Sequence, residues 1–537
     1  MKINKFNFSI VASLLLVFAC TDLDEELKGE IISDISIEGI STGGSGGGGD
    51  ALTAAFTALR DAGTANHGGY FSLQALTSDE ALIAAKGGDW YDGGVLIELH
   101  QHTFTASNGF INGSWNQQYS GINTTNELLA SDLDASSKAQ LRVLRAFFYW
   151  RLMDLFGNVK IVTTPGQNAP QATRQQVFDF VESEILGALG VTAVSSNMDL
   201  TNSPLGVDDN KYRINRFAAL GILSKVYLNA EVYTGTPRYQ EAADAAGYVI
   251  DNSSYQVVDS SFERPNLGRR PSVSSDPVNL SGYATIFAPN NQDNPEIIWS
   301  VEYDEATAGG MNFSQMTLHY SSQFTWNFQD QPWNGYATLT DFYNSYDNND
   351  LRKQSNFIVG PQIDFGGSAV LDYASDDGDI PLVYTPEINE LEPNSLREAG
   401  ARMGKYSFKQ FGRPDMDNDY VIVRLGELHL NRAEALARVA GNWSAADQFG
   451  DVTAIRARAG LAPLSTITAD SFLEERGREM FQETSRRTDL IRFGKYTGSQ
   501  STWQFKTTPT EDYRKLFPIP FEQIQASEGT LTQNPGY

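Results

Sequence analysis

The chain has 537 residues, of which 41% are hydrophobic and 20% are charged, a composition ordinary for a folded protein of one large or several smaller domains. Its formal net charge is −26. Such a charge repels nucleic acid, anionic lipid and polyanionic glycans, and no run of Lys or Arg forms a basic patch to offset it. Nucleic-acid binding is therefore not expected, and neutral ligands are favoured.

The N-terminus has the pattern of a lipoprotein leader. Two lysines precede an apolar run over residues 10–19, which is too short to span a bilayer, and a cysteine follows it. Cys20 is the only cysteine of the chain, so a structural disulfide is excluded and lipid attachment is its most economical use. We predict a signal peptide over residues 1–19, lipidation of Cys20, and a flexible, Gly-rich tether over residues 20–49.

Residues 50–537 are predicted to form a single domain that is mainly α-helical. A first helix is expected from Asp50, whose carboxylate can cap it. Further amphipathic or apolar periodicity predicts helices over residues 113–130, 134–156, 174–187, 215–233, 239–251, 420–439 and 444–459. Small residues in the last pair allow close helix packing, as in tetratricopeptide-type repeats. We therefore expect a tetratricopeptide-like helical scaffold over about 50–260 and 420–537.

Between about residues 260 and 419 the helical periodicity fades, and Gly, Asn, Asp, Pro and aromatic residues accumulate. Short strands are predicted over residues 296–303 and 355–359. We interpret this segment as a loop-rich, aromatic-rich insertion carrying short strands. Loops held by a rigid frame are where binding residues usually lie.

The candidate binding residues are aromatic. A pyranose ring has an apolar face and a rim of hydroxyls, so a neutral glycan needs exposed Trp or Tyr rings with polar side chains beside them. Two stretches offer this mixture, and the candidates in them are Asp89, Trp90, Tyr91, Tyr320, Trp326, Trp333 and Asn334. The alternative is that these rings form a small core under a long loop. For Phe324 and Phe328 the core interpretation is favoured.

No catalytic, cofactor or metal site is predicted. If they lay on a strand, His100 and His102 would share one face, as metal ligands can, but no Cys or acidic cluster at ligand spacing accompanies them. They are interpreted as packing or surface histidines. No Gly-x-Ser-x-Gly elbow marks a nucleophile. Carboxylates are abundant, so residues alone do not exclude a glycosidase, and they leave a structural calcium ion open.

Several ordered motifs carry a resemblance to a known family. They are LRVLRAFFYWRLMDLFGNV at 141–159, TSDEALIAAKGGDWYDGG at 77–94, NQDNPEIIWSVEYD at 291–304, WNGYATLTDFYNSYDNNDLRK at 333–353, VIVRLGELHLNRAEALAR at 421–438, EERGREMFQETSRRTDLIRFGKY at 474–496 and LFPIPFEQIQASEGTLTQNPGY at 516–537. Together they resemble the SusD/RagB family, the starch-utilisation-type glycan-binding lipoproteins of Gram-negative outer membranes.

The resemblance implies a cell-surface lipoprotein, anchored by lipid in the outer membrane, that captures oligosaccharide or polysaccharide without cleaving it. It further implies a SusC-like TonB-dependent transporter as the partner that receives the glycan. The acidic surface favours a neutral polymer such as a β-glucan or an α-glucan. Two alternatives stay open at this point: a surface glycoside hydrolase, and a purely structural transporter lid with no sugar site.

Overall fold

The structure, a computed structural model, describes residues 52–268, 279–375 and 378–537, and residues 52–537 form one compact unit. The predicted signal peptide, the lipidation site Cys20, the tether and the cap at Asp50 lie outside the described residues. Within them, no helix combines the length and apolar character needed to cross a bilayer.

The helix Ala135–Phe156 is the core helix of the helical part. Asp134 caps it by accepting a hydrogen bond from the Ser137 backbone N–H at 2.9 Å, and it ends at Gly157, whose φ is +72°. All of its residues from 143 to 156 are buried, because bulky rings cover its whole circumference rather than one stripe. This burial on every side makes it the packing centre for its neighbours.

Successive helices pack against each other as the sequence predicts. Gly109–Leu129 and Arg174–Leu189 flank the core helix, and Leu425–Ala440 returns from the far end of the chain to pack on Tyr239–Asn252. The α-helices are Thr53–Asp61, Tyr70–Leu76, Val95–Gln101, Gly109–Leu129, Ala135–Phe156, Arg174–Leu189, Arg216–Leu228, Ala230–Thr234, Tyr239–Asn252, Phe313–Thr317, Gln323–Trp326, Thr340–Asn344, Leu351–Asn356, Leu425–Ala440, Asp451–Arg458, Ala469–Met480, Arg486–Arg492 and Phe521–Ala526. The predicted fold class, a mainly α scaffold with short strands in an insertion, is confirmed.

The strands are short, and in the described ranges every sheet is an antiparallel pair. The pairs are Ala81–Ile83 with Tyr336–Thr338, Val159–Lys160 with Gln171–Ala172, Glu263–Arg264 with Leu280–Ser281, Ile297–Val301 with Tyr420–Arg424, Phe357–Ile358 with Arg402–Met403, Gly360–Pro361 with Val383–Tyr384, and Leu371–Asp372 with Ile380–Pro381. Most of these pairs lie in the insertion, where they hold the loops in place.

Two of the predicted helices near the C-terminus have different bounds from those expected. The stretch 420–424 is a strand, because its β-branched and aromatic residues are buried on both faces and pair with Ile297–Val301, so the helix begins only at Leu425. The predicted helix over 444–459 is interrupted at Gly450, which has a φ of +76°. Gly450 separates a short helical turn from the helix Asp451–Arg458. Apolar periodicity over so few residues did not separate strand from helix.

A fully buried ion network joins the insertion to the C-terminal helices. The Arg424 guanidinium, at the end of its strand, pairs with Glu296 at 3.0 Å, Glu479 at 2.7 Å and Glu483 at 2.8 Å. Glu479 also pairs with Arg352 at 3.0 Å, and each of these side chains is at most 3% exposed. Paired arginines lower the pKa of Glu479 and Glu483 against the opposing effect of burial. These carboxylates therefore form structural ion pairs that hold the fold together.

Candidate functional site

One antiparallel strand pair brings the two predicted tryptophan loops together. Ile83, the last residue of its strand, pairs with Tyr336, the first residue of the other strand. Because the strands run in opposite directions, the loop that follows Ile83 and the loop that precedes Tyr336 emerge at the same end. Trp90 lies in the first loop and Trp333 in the second, so residues far apart in the sequence become neighbours.

The Trp90 indole is seated against the second loop. Its Nε1–H donates a hydrogen bond to the Trp333 carbonyl oxygen at 2.6 Å, and a Cβ placed on Gly335 would lie 2.5 Å from its Cζ2 atom. The indole edge meets the Tyr336 ring at a centroid distance of 6.5 Å. Trp90 has a φ of +64°, which is a strained conformation for a bulky residue. Such a conformation persists only where contacts with the surrounding structure hold it in place. The ring is thus half-buried and fixed in orientation.

The Trp333 loop is pinned by backbone hydrogen bonds to residues 315–318. The N–H groups of Trp333, Asn334 and Gly335 donate to the carbonyls of Gln315, Leu318 and Met316 at 2.7, 2.8 and 2.9 Å. The Trp333 side chain remains 37% exposed. Tyr91, beside Trp90, is 47% exposed. We call Asp89, Trp90, Tyr91 and Trp333 together the tryptophan site.

Asp89 supplies a carboxylate at the edge of the tryptophan site. It is exposed, and its Oδ2 accepts a hydrogen bond from the Tyr320 hydroxyl at 2.5 Å. Burial and the Asp89 charge raise the pKa of Tyr320, so this hydroxyl remains a donor. The second carboxylate oxygen is left to accept from a ligand hydroxyl.

Three of the predicted binding residues are buried and do not present their side chains to a ligand. Trp326 is 1% exposed because its ring stacks on Phe328 at 5.8 Å and meets Phe408 edge-on at 5.4 Å, so the expectation of an exposed platform is wrong for Trp326. Tyr320 is 7% exposed and Asn334 is fully buried. Tyr320 holds Asp89 through its hydroxyl, and the Asn334 backbone N–H ties the Trp333 loop to Leu318.

Phe324 shows the opposite error. The sequence interpretation assigned it to the core, but it is 51% exposed. It lies two residues before Trp326 on the short helix Gln323–Trp326, so the two side chains point to nearly opposite sides, and that of Trp326 faces the protein. A four-residue helix is too short for periodicity to tell which aromatic residue faces inward.

His67 belongs to the site and was not foreseen. Its ring meets the Trp90 indole edge-on at 5.2 Å, and its Nδ1 is 3.0 Å from the Tyr336 hydroxyl. Burial lowers the pKa of His67 to about 4, against the raising effect of Asp92, so the ring is neutral near pH 7. It lies in a turn with no motif around it, and only the fold brings it to Trp90.

Lys86 belongs to the first loop, and its side chain is buried. Its Nζ donates to the Ala84 carbonyl at 3.1 Å. Burial and the charge of Arg402 lower its pKa well below the usual range, while Asp89 opposes this shift. The turn from Lys86 to Asp89, closed by a 2.9 Å backbone hydrogen bond, places Trp90 directly after it. Lys86 is therefore part of the support of the loop.

His100 lies in the last turn of the helix Val95–Gln101, and His102 is the residue that ends it. Both are buried and bonded to the protein: His100 Nε2 to the Gln504 carbonyl at 2.8 Å, and His102 Nδ1 to the Thr510 hydroxyl at 2.8 Å. Among the residues that the structure describes, no group of three or more His, Cys, Asp or Glu could hold a metal ion.

A model described as the SusD family matches residues 397–537, and one described as starch-binding associating with outer membrane matches residues 60–228. The starch-binding protein SusD of Bacteroides thetaiotaomicron is 24% identical over 451 residues, which cover 74% of this chain and 72% of that protein. A SusD-like protein of Formosa agariphila is 22% identical, with 77% of this chain and 75% of the other covered.

Solved structures share the fold at low sequence identity. Surface glycan-binding protein A of Bacteroides thetaiotaomicron, in complex with laminarihexaose, has a TM-score of 0.67 at 20% identity and covers 90% of this chain and 98% of its own. A laminarin-binding SusD-like protein has a TM-score of 0.63 at 21% identity, covering 91% and 98%. The sequence matches at both ends of the chain and this shared architecture agree. The chain belongs to the SusD/RagB family, a family of glycan-binding proteins.

Proposed function

We propose that this protein binds a neutral glycan at the tryptophan site. The observation that carries the proposal is the hydrogen bond between Trp90 Nε1–H and the Trp333 carbonyl, which joins residues 243 positions apart and leaves both rings partly open to solvent. Open indoles beside the Asp89 carboxylate provide an apolar surface for a sugar face and an acceptor for its hydroxyls.

The net charge of −26 supports a neutral glycan over a polyanionic one. A curated relative is named for starch, an α-glucan, and solved neighbours are named for laminarin or laminarihexaose, which are β-glucans. The proposed ligand is therefore a glucan, with a β-glucan such as laminarin as the first choice and starch as the second.

The proposal includes the cell-surface role implied by the family. The protein would be anchored in the outer membrane by lipid on Cys20 and would pass its glycan to a SusC-like TonB-dependent transporter. The family-model description that mentions association with the outer membrane supports this location. A shallow site fits capture and release, because it removes little area from water and gives only moderate affinity.

We further propose that the protein does not cleave its ligand. Relatives are named as binding proteins, and the neighbouring carboxylates of Glu296, Glu479 and Glu483 are buried in ion pairs with arginines. Incubation with laminarin or starch, followed by an assay for new reducing ends, tests this. Release of reducing ends at an enzymatic rate would replace the binding role with a glycoside hydrolase.

Native affinity electrophoresis tests the binding role directly. Residues 21–537 are run through gels that contain laminarin, starch or the anionic polymer alginate, with Trp333→Ala alongside. We expect retardation by one neutral glucan, and loss of this retardation in the variant. Equal mobility in every gel would refute the proposed ligand class and leave the structural lid as the better interpretation.

A further inference from the structure

Four aromatic rings stand exposed on a second surface, beyond the tryptophan site. Phe324, Phe365, Tyr373 and Phe411 are 51%, 40%, 48% and 53% exposed. The first three line an open cleft with a volume of about 610 Å³, which we call the phenylalanine cleft. Large contiguous apolar patches are rare on protein surfaces, and those that occur commonly mark a binding site.

The cleft is a built surface rather than a loose set of loop residues. The Phe365 N–H donates to the Phe324 carbonyl at 2.8 Å, and the Phe411 N–H donates to the Trp326 carbonyl at 2.8 Å. Phe365 and Phe411 meet edge-on at 5.0 Å, and Phe324 and Tyr373 at 6.2 Å. Three separate segments of the insertion are thereby locked together with their rings facing outward.

The backbone at the cleft is strained. Phe411, whose ring packs against Phe365, has a φ of +60°, in the left-handed region that bulky residues rarely adopt. The same kind of strain occurs at Trp90 in the tryptophan site, whose φ is +64°. Strained residues persist where the surrounding structure fixes them, and they cluster at ligand sites.

The phenylalanine cleft adjoins the tryptophan site. The Tyr373 hydroxyl donates to Gln331 Oε1 at 2.9 Å. Gln331 is two residues from Trp333 in the sequence, so the Cα atoms of Gln331 and Trp333 lie within about 7 Å of each other. At the other end of the cleft, Phe324 lies four residues after Tyr320, and the Tyr320 hydroxyl donates a hydrogen bond to Asp89 of the tryptophan site. A short oligosaccharide that leaves the tryptophan site along this face would reach the cleft.

The polar groups of the cleft fit sugar hydroxyls. Asn327, Asp364 and Asp379 line it together with the rings. Their oxygens accept hydrogen bonds, and the two carboxylates repel an anionic polymer. Because this rests on the proposed function, the occupant is the same neutral glycan. We propose that the phenylalanine cleft is a second subsite, which binds further sugar residues of a glycan chain held at the tryptophan site.

A series of ligand lengths tests the proposal. The affinities of residues 21–537 for laminaribiose and laminarihexaose, and for maltose and maltohexaose, are measured by titration calorimetry. The double variant Phe324→Ala/Phe365→Ala should lose roughly tenfold in affinity for the hexaose that binds, and little for its disaccharide. Trp333→Ala should weaken both. Phe449→Ala, which removes a ring that is 63% exposed in the C-terminal helical part, serves as the control and should change neither.

The outcomes separate this inference from the proposed function. If the wild type gains affinity with chain length and the double variant keeps the same gain, the cleft is not a subsite although the tryptophan site stands. If the double variant instead changes the sedimentation of the protein and leaves the gain intact, the cleft contacts a second copy and the inference is overturned. If no oligosaccharide binds the wild type, both proposals fall. Melting temperatures close to the wild type confirm that the variants fold.

Discussion

Trp333→Ala should weaken glycan binding about 30-fold without destabilising the protein. Trp333 is 37% exposed, and of the up to about 250 Å² that a tryptophan offers, about 90 Å² therefore stays open. A sugar stacked on one ring face covers about half of this and a similar area of its own. At about 25 cal/mol per Å², burying about 90 Å² contributes about 2 kcal/mol, which is about 30-fold in affinity.

The fold should survive because the Trp333 carbonyl, and not its side chain, accepts the hydrogen bond from Trp90. Trp90→Ala is the informative contrast: it removes that hydrogen bond and the contact with His67, so both affinity and melting temperature should fall. Phe449→Ala is the control for loss of an exposed ring. Titration calorimetry with the retained glucan and thermal melts measure both effects. Wild-type affinity in Trp333→Ala would refute the stacking argument.

Three further substitutions test the packing and the electrostatics. Gly335→Ala should lower glycan affinity about tenfold, because the added Cβ would lie 2.5 Å from the Trp90 ring and displace it; unchanged retardation in affinity gels would show that this seat does not position the ring. Gly121→Ala should lower the unfolding free energy by about 1–3 kcal/mol, since its Cβ would lie 2.4 Å from an aromatic ring of the core helix, whereas Gly109→Ala meets nothing within 4 Å; equal denaturation midpoints would contradict this. Burial raises the pKa of Glu80 to about 8, above its value of about 4.5 in the unfolded chain, so the folded protein holds a proton that the unfolded chain loses. The wild type should therefore lose stability as the pH rises through this window, by up to about 1.4 kcal/mol per unit, and Glu80→Gln should not; a stability difference that is the same at about pH 5 and about pH 8 would count against it.

Long apolar helices could be predicted from the sequence to within a few residues. The core helix, predicted over 134–156, occupies Ala135–Phe156, because Asp134 and Gly157 mark its ends chemically. The helix predicted over 420–439 was wrong in its first turn, since residues 420–424 gain their partner strand only from Ile297–Val301. Pairing across more than a hundred residues leaves no trace in a local window.

At the tryptophan site, residue type indicated which side chains could contact a ligand, but it did not predict which of them are buried. Trp90 and Trp333 were predicted as candidates and lie together, yet Trp326 has the same polar neighbours and is buried. The difference is that Trp326 points into a cluster of rings contributed by a separate loop around Phe408. His67 could not be found at all, because no residue near it in sequence shares its role.

The first loop of the tryptophan site depends on residues made very late in synthesis. The Gln482 N–H donates to Glu80 at 2.6 Å, and the Arg486 guanidinium pairs with Asp79 at 2.7 Å, across 402 and 407 positions of sequence. Asp79 and Glu80, which lead into the strand Ala81–Ile83, therefore gain these partners only when almost the whole chain has emerged. Contacts of such separation form slowly. A chain that ends before residue 482 should keep every proposed ligand-contacting residue and still fail to be retarded by glycan, so only complete molecules would be competent to capture it.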